Sequence, residues 1–373
     1  MWEICYNRHM KNNMQKLIKA VKRIKDPRRQ WGNIRHKLVD IVVIAFCAII
    51  CGAQTYNDLA LFGEARKVWF SWFLELPNSI PSPDTFERVF ELLDARILAK
   101  RLREIFTCAD MFGKIVAFDG KTIRGSKGLD HRAFHVLSAF LTDNQVVIGE
   151  DIVGEKTNEI TAIPELLDTL NVEGATITID AMGAQTKIAD KIINKGADYV
   201  LSLKGNQSDL HDDVRLYFEN ETVILTKSTQ DHGHGRDEIR EYFLETKIDW
   251  LYNREKWTGL AAIGSVRSTV TTKGNTHSET RYFLTSLTDI EQFSRAVREH
   301  WGIENLLHWH LDVTFEEDAG RVRNRNAAAV WNVLRKTALE YLNKIDPGKN
   351  VSLKSRRKFA AWDNSYLERL LLF

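Results

Sequence analysis

The sequence predicts an α/β protein: a mixed-sheet domain preceded by a small all-helical one. Three observations carry that expectation. Two short apolar runs, Lys114–Asp119 (KIVAFD) and Ala175–Asp180 (ATITID), read as strands that end in an acid. Strand-like and helix-like segments alternate from Lys114 through Tyr199–Leu203. Before Lys114, apolar residues recur at spacings of three and four in Leu61–Leu74 and Phe86–Leu102, as one helix face requires.

Composition narrows the class further. The chain has 373 residues, 44% hydrophobic and 27% charged, enough for two or three folded domains. Its formal net charge is only +2, so any binding to nucleic acid must rest on local basic patches. Cys5, Cys47, Cys51 and Cys108 form no CxxC pair, which speaks against a zinc knuckle or a disulfide scaffold and for a reducing compartment. The uncharged stretch Ile41–Ala53 is shorter than the roughly 20 residues that span a bilayer. It reads as a buried helix of a cytoplasmic protein with no membrane partner.

In chain order, residues 1–37 are a basic leader, with Lys11, Lys16, Lys19, Lys22, Arg23, Lys25, Arg28, Arg29, Arg35 and Lys37 in residues 10–37, and Pro27 interrupting any helix there. Such a run is either a solvated arm or one that lies on DNA phosphates. Residues 38–112 read as the helical domain, and Ser82-Pro83-Asp84-Thr85 marks a helix start. Residues 113–345 read as the mixed-sheet domain. Lys114–Asp119 is followed by two strands, Ala133–Leu141 and Gln145–Val153, joined at Asp143-Asn144. A helix is expected over Asn158–Leu170, a strand over Ala175–Asp180, a helix over Ala184–Lys195 and a strand over Tyr199–Leu203. Residues 205–287 break the alternation and read as a β-rich insertion, with β-like runs at Asp237–Thr246, Leu260–Thr272 and Thr280–Ser286. Helical pattern returns at Ile290–His310 and Ala327–Leu342, and residues 346–373 form a tail.

The chemistry is carried by carboxylates. Asp119 is followed by Gly120, and Asp180 by Ala181-Met182-Gly183. Sites in open α/β sheets form beyond the carboxyl ends of strands, so neighbouring strands would bring these two acids together. Two carboxylates a few ångströms apart repel unless they share a proton or a cation. Their oxygens favour a hard ion such as Mg²⁺ or Mn²⁺. Glu304 is the candidate third acid. His300, Glu304 and His308 lie four apart and share one helix face, which Asp312 extends if the helix continues. A lone aspartate after a strand is often only a cap or turn residue, so the case rests on the three acids together.

With these motifs in place, the chain resembles the insertion-sequence DDE transposases of the ISAs type, which include the H-repeat-associated proteins. The resemblance runs over nearly the whole chain. It is carried by Asp26-Pro27-Arg28-Arg29, AFDGKTIRGS at Ala117–Ser126, Lys156-Thr157-Asn158-Glu159-Ile160 with Ala162-Ile163-Pro164, and ITIDAMGAQ at Ile177–Gln185. It continues through ADYVL at Ala197–Leu201, LKGNQ at Leu203–Gln207, His234-Gly235-Arg236, HWGIEN at His300–Asn305 with Leu307-His308-Trp309, Leu311-Asp312-Val313, and Glu317-Asp318. The resemblance implies an RNase H-like core that contains the β-rich insertion. It implies Asp119, Asp180 and Glu304 as catalytic and metal-holding residues, with two Mg²⁺ or Mn²⁺ ions. The implied reaction is strand cleavage at transposon ends and strand transfer into target DNA. Pairing two ends implies a homodimer on DNA. The wider superfamily places a tyrosine and an arginine before the glutamate and a lysine after it; this chain has Val297, His300 and Leu311 there. Arg298 and His300 are candidates to replace the arginine, and His308 or Arg321 the lysine.

Other DNA contacts are expected from basic groups near the acids. Lys121, Arg124 and Lys127 follow Asp119, and Lys204 follows a strand end. In the insertion His234, Arg236, Glu238 and Arg240 alternate and would share one strand face; Arg321, Arg323 and Arg325 also alternate. Trp301 and Trp309 are either core residues at helical spacing or platforms for a displaced base. His300 and His308 could reach one zinc ion, but no thiolate or histidine cluster joins them. Two other functions fit the same residues: a structure-selective nuclease that cuts without joining, and a catalytically idle, domesticated DNA-binding protein. Strand-transfer products separate the first from a transposase, and DNA binding without nicking identifies the second.

Overall fold

The computed structural model describes residues 15–29, 34–106, 110–128, 132–153, 159–223, 225–233, 235–345, 347–348 and 351–371. Helical segments lead the chain: one over 15–22, then α1 (Leu38–Ile50), α2 (Tyr56–Ala65), α3 (Lys67–Ser71), α4 (Pro83–Leu92) and α5 (Ala95–Arg103). The ends are set by local chemistry. Thr55 and Asp58 close a capping box at the start of α2, and Asp94 accepts from the backbone N–H groups of Arg96 and Ile97 to start α5. Pro83 opens α4, where its missing N–H has no helical partner to lose. Apart from Val39, the whole of α1 is buried, which explains why it is apolar from Ile41 to its end. No helix among the described residues is long and apolar enough to cross a membrane.

A single nine-stranded sheet follows. Its strands are β1 (Ile115–Thr122), β2 (His135–Leu141), β3 (Val146–Val153), β4 (Thr176–Ile179), β5 (Asp198–Leu203), β6 (Leu225–Gly233), β7 (Arg236–Glu245), β8 (Ala262–Thr272) and β9 (Asn275–Thr285). They lie in the order β3-β2-β1-β4-β5-β9-β8-β7-β6. β1, β4 and β5 run parallel, and every other neighbour pair is antiparallel. The parallel centre explains the unbroken apolar run Ile115–Phe118 of β1 and the β-branched TITI of β4, which are covered on both faces. The crossovers carry α6 (Glu159–Asp168) and α7 (Thr186–Asn194). The β-rich stretch is continuous with the rest of the sheet: β9 pairs with β5, and β8, β7 and β6 extend outward from it.

Two elements of that stretch differ from the sequence expectation. Ser208–Asn220 is a helix, α8, and Leu225–Gly233 is a strand. After β9 come α9 (Ile290–Gly302) and two π-helical turns, Ile303–His308 and His310–Thr314. The chain closes with α10 (Arg325–Lys344), α11 (Leu353–Trp362) and α12 (Asn364–Leu370). α10 joins the two ends of the chain: its buried face shares one apolar core with α1, α4 and α5, with α12 and with β2.

Against the sheet, α10 is polar. Lys336 donates to Ser138 Oγ (2.9 Å) and Glu150 Oε2 (2.7 Å), and the Val147 backbone N–H donates to Glu340 Oε1 (2.7 Å). Burial pushes the Glu340 carboxyl up from 4.5 to about 8, against the Val147 hydrogen bond, and the nearby Glu150 carboxylate adds to the rise. The folded protein therefore holds a proton there that the unfolded chain releases. This linkage lowers stability as pH rises from about 4.5 to about 8. Glu340→Gln removes it. The expected outcome is a variant that gains on the wild type as pH rises, by roughly 2–3 kcal/mol between pH 6 and pH 8.5. Denaturant unfolding at pH 6 and pH 8.5 checks this.

Candidate active site

The sheet brings Asp119 and Asp180 to the point where its central strands part. β1 and β4 are paired in parallel only as far as Phe118 and Ile179. Asp119 and Asp180 come next on each chain. β1 does not end at Asp119, as its sequence suggested; antiparallel pairing with β2 carries it on to Thr122. Asp180 leaves the strand and caps a short turn, accepting from the Met182 backbone N–H at 3.2 Å.

Glu304 reaches this point from α9. It lies in the first π-helical turn, a local widening that recurs at functional sites because it re-aims side chains. His308 is its neighbour four residues on. His308 Nδ1 lies 3.3 Å from Asp119 Oδ2 and 3.6 Å from Glu304 Oε2. One donor atom from each of Asp119, Glu304 and His308 falls within 4.8 Å of the others. Asp119, Asp180 and Glu304 all line one cleft of about 290 Å³, with Thr178, Ser202, Lys204, His211, Glu279, Arg281, His300 and Trp301 around them.

The electrostatics of the group follow from its burial. Burial pushes the Asp119 carboxyl up, but the His308 hydrogen bond and charge outweigh it and hold the carboxyl below its usual range. Burial pushes the His308 imidazole down, yet Asp119 and Glu304 together raise it. His300 shifts the other way: burial lowers it, and its Nδ1 meets Thr178 Oγ1 at 2.8 Å. His300 thus braces α9 on β4 as a neutral ring.

The predicted DNA-facing residues divide into three groups. Lys121 is only 9% exposed and is turned inward, 2.5 Å from Asp312 and 3.8 Å from Asp318. His308 is buried among the acids. Arg236 pairs with Glu238 (2.8 Å) and Arg298 with Asp231 (3.5 Å); Arg240 meets Glu238 at 2.7 Å. These arginines line a second groove of about 780 Å³ that shares Arg281 and Trp301 with the first. Arg124, Lys127, Lys204, Arg321 and Arg323 lie exposed at the surface, Lys204 at the cleft rim, with Arg124 3.6 Å from Asp318. His234 lies outside the described residues. Neither tryptophan is core: Trp301 is 40% exposed beneath the Arg281 guanidinium (4.6 Å), and Trp309 is 52% exposed.

Sequence reasoning missed what ties these parts together. The Lys121 pair with Asp312 and Asp318 fastens β1 to the π-helical turns eight residues beyond Glu304. Behind it, the turn after Asp312 packs on Gly125, where a Cβ would come within 2.3 Å of the Gly320 carbonyl oxygen. Glu317 anchors that turn, accepting from Asn332 Nδ2 at 2.9 Å and facing Arg335 at 3.7 Å, both in the buried face of α10. The available signal was Asp312, which continues the Glu304 face. Glu317→Ala strands the Arg335 charge in the core and is expected to cost about 3–5 kcal/mol, read as a lower denaturant midpoint.

Comparison with known proteins gives this arrangement a class. The family described as "Transposase DDE domain" matches residues 110–340, and the one described as "DDE_Tnp_1-associated" matches residues 18–105. The protein is thus of the transposase class, with a DDE domain behind an associated helical region. More closely, the chain belongs to the family of H-repeat-associated DDE transposases. It is 38% identical to "Putative transposase YncI" of Escherichia coli O157:H7 over 96% of this chain and 95% of that one. It is 35% identical to "H repeat-associated putative transposase YhhI" of Escherichia coli K12 over 96% of this chain and 98% of the relative.

Proposed function

We propose that this chain is an active DNA transposase that cleaves strands at the ends of its element and transfers them into target DNA. In this reading Asp119, Asp180 and Glu304 are the catalytic acids, and they hold divalent metal, two ions of Mg²⁺ or Mn²⁺. The observation that carries the reading is the meeting of Asp119, from the parting of β1 and β4, with Glu304, from a helix far along the chain, in the cleft that Asp180 also lines. Oxygen-rich donors beside one imidazole suit such an ion. When bound, the metal would supply Lewis-acid polarisation of the phosphate and a nucleophile at neutral pH.

The chain's own residues would do the rest. Lys204 and Arg281, both at the cleft, would hold a phosphate by charge. Arg124, Lys127, Arg321 and Arg323 would track the backbone farther out, and Arg236 and Arg298 would meet the element end across the second groove. His300, braced on Thr178, would fix the pitch of the Glu304 helix. The strand order β3-β2-β1-β4-β5, with β1, β4 and β5 parallel, supports an RNase H-like core over residues 113–345 with β6–β9 as its insertion. Residues 38–112 would form an N-terminal DNA-binding part behind the basic leader of residues 1–37, and residues 346–373 the tail. Pairing of two ends calls for a homodimer on DNA in the cytoplasm.

The test is incubation of the full chain with labelled element ends and a supercoiled target, with Mg²⁺ or with EDTA. Nicked ends and joined products that require the metal are expected. Cleavage without joining supports the nuclease reading, and metal-independent binding without nicking supports the idle one.

A further inference from the structure

We infer that His308 is a direct nitrogen ligand of the divalent ion in this site, so that the metal is held by two carboxylates and an imidazole and the site prefers Mn²⁺ to Mg²⁺. This rests on the proposed metal-dependent reading of Asp119 and Glu304 and goes beyond it by adding a ligand of a different chemical kind.

The geometry points there directly. The His308 ring is 5% exposed, and its Nδ1 is aimed between Asp119 Oδ2 (3.3 Å) and Glu304 Oε2 (3.6 Å). Ligand atoms about 2.1 Å from one ion lie roughly 3.0 Å apart at right angles and about 3.4 Å apart at the tetrahedral angle. The 3.3 Å separation falls in that range and the 3.6 Å separation lies just beyond it, so a small closure of Glu304 would make these atoms neighbouring ligands of one cation. Among the described residues the buried Nε2 has no hydrogen-bond partner, so only the two carboxylates engage the ring. His300 does not compete for the role, because its Nδ1 engages Thr178 and it stands outside the three-donor group.

The consequence is selectivity. Mg²⁺ favours oxygen and keeps its waters, whereas an imidazole nitrogen raises affinity for later first-row ions. A histidine that served only as a counter-charge to the two acids would leave no nitrogen on the metal.

The experiment is electron spin-echo spectroscopy of Mn²⁺ bound to the full chain without DNA, with Mn²⁺ and Mg²⁺ affinities measured by titration. The wild type is expected to show ¹⁴N modulation from one imidazole. His308→Gln is expected to lose that modulation and bind Mn²⁺ about 10–100-fold more weakly, with a smaller change for Mg²⁺. Mn²⁺ that binds the wild type, is lost in Asp119→Asn, and shows no ¹⁴N modulation overturns the role of His308 while leaving the metal reading intact. Mn²⁺ binding indifferent to Asp119 overturns both. If His308→Gln fails to fold by circular dichroism, the wild-type spectrum alone decides.

Discussion

Replacing Asp119 with asparagine is expected to lower strand cleavage about 10³-fold or more while the chain stays folded. The substitution keeps the shape of the side chain and its place on β1 beside Ser138. It removes one negative charge from a donor group whose other members are Glu304 and His308. The His308 imidazole, raised by Asp119 and Glu304 together, then keeps only Glu304 as a counter-charge. A single-turnover cleavage assay with Mg²⁺ reads the loss, and circular dichroism confirms the fold. Cleavage within a few-fold of the wild type would remove Asp119 from the chemistry.

Gly120→Ala is the second large effect, and it acts through packing. A Cβ at position 120 would lie 2.0 Å from His135 Nε2 and 2.5 Å from Glu159 Oε1. Both side chains are buried and meet each other on the sheet face opposite Asp119. His135 is also held by β2, where it pairs with Thr122. Overpacking and a disturbed buried pair together are expected to cost roughly 3 kcal/mol. Because Asp119 is the next residue, a displacement of about 1 Å would also cost on the order of 10²-fold in cleavage. Urea unfolding checks the first part and the cleavage assay the second. Shortening the obstruction with His135→Ala in the same chain should restore part of the stability, a coupling that a substitution without steric conflict would lack.

The sheet centre was legible because its strands are covered on both faces, so β1 opens on the unbroken apolar run Ile115–Phe118 and β4 is β-branched throughout. α1 was legible as buried for the same reason: its length falls short of a membrane span and its sequence has no polar face. α8 was missed although Leu210, Val214, Tyr217 and Phe218 recur at helical spacing and pack on the core, because only Val214 is fully buried and the polar residues between them hid the stripe. β6 was missed because nearly every residue of LTKSTQDHG faces solvent and the strand lacks alternation.

At the site, each acid was visible from its setting, Asp119 and Asp180 after apolar strands and Glu304 within a dense helical motif. Their meeting was an inference from sheet logic and resemblance. The π-helical turns were beyond reach, since their sequence carries the spacing of an ordinary helix. Lys121 was read as a DNA contact from its position after Asp119, but its partner is 191 residues away, and no local pattern records such a contact. The core reading of Trp301 and Trp309 fails for a related reason. Helical spacing describes which residues share a face and leaves open whether that face is covered.

The central claim is that Asp119, Asp180 and Glu304 converge on divalent metal that works on a DNA phosphate. Anomalous diffraction at the manganese edge, from crystals of the full chain with Mn²⁺ and an element end, tests it most directly. The expected result is density bound by the carboxylates of Asp119 and Glu304, with Asp180 oxygen on a neighbouring ion and a phosphate oxygen alongside. Manganese bound elsewhere on the chain, with these three side chains free of metal while DNA lies in the cleft, would contradict it.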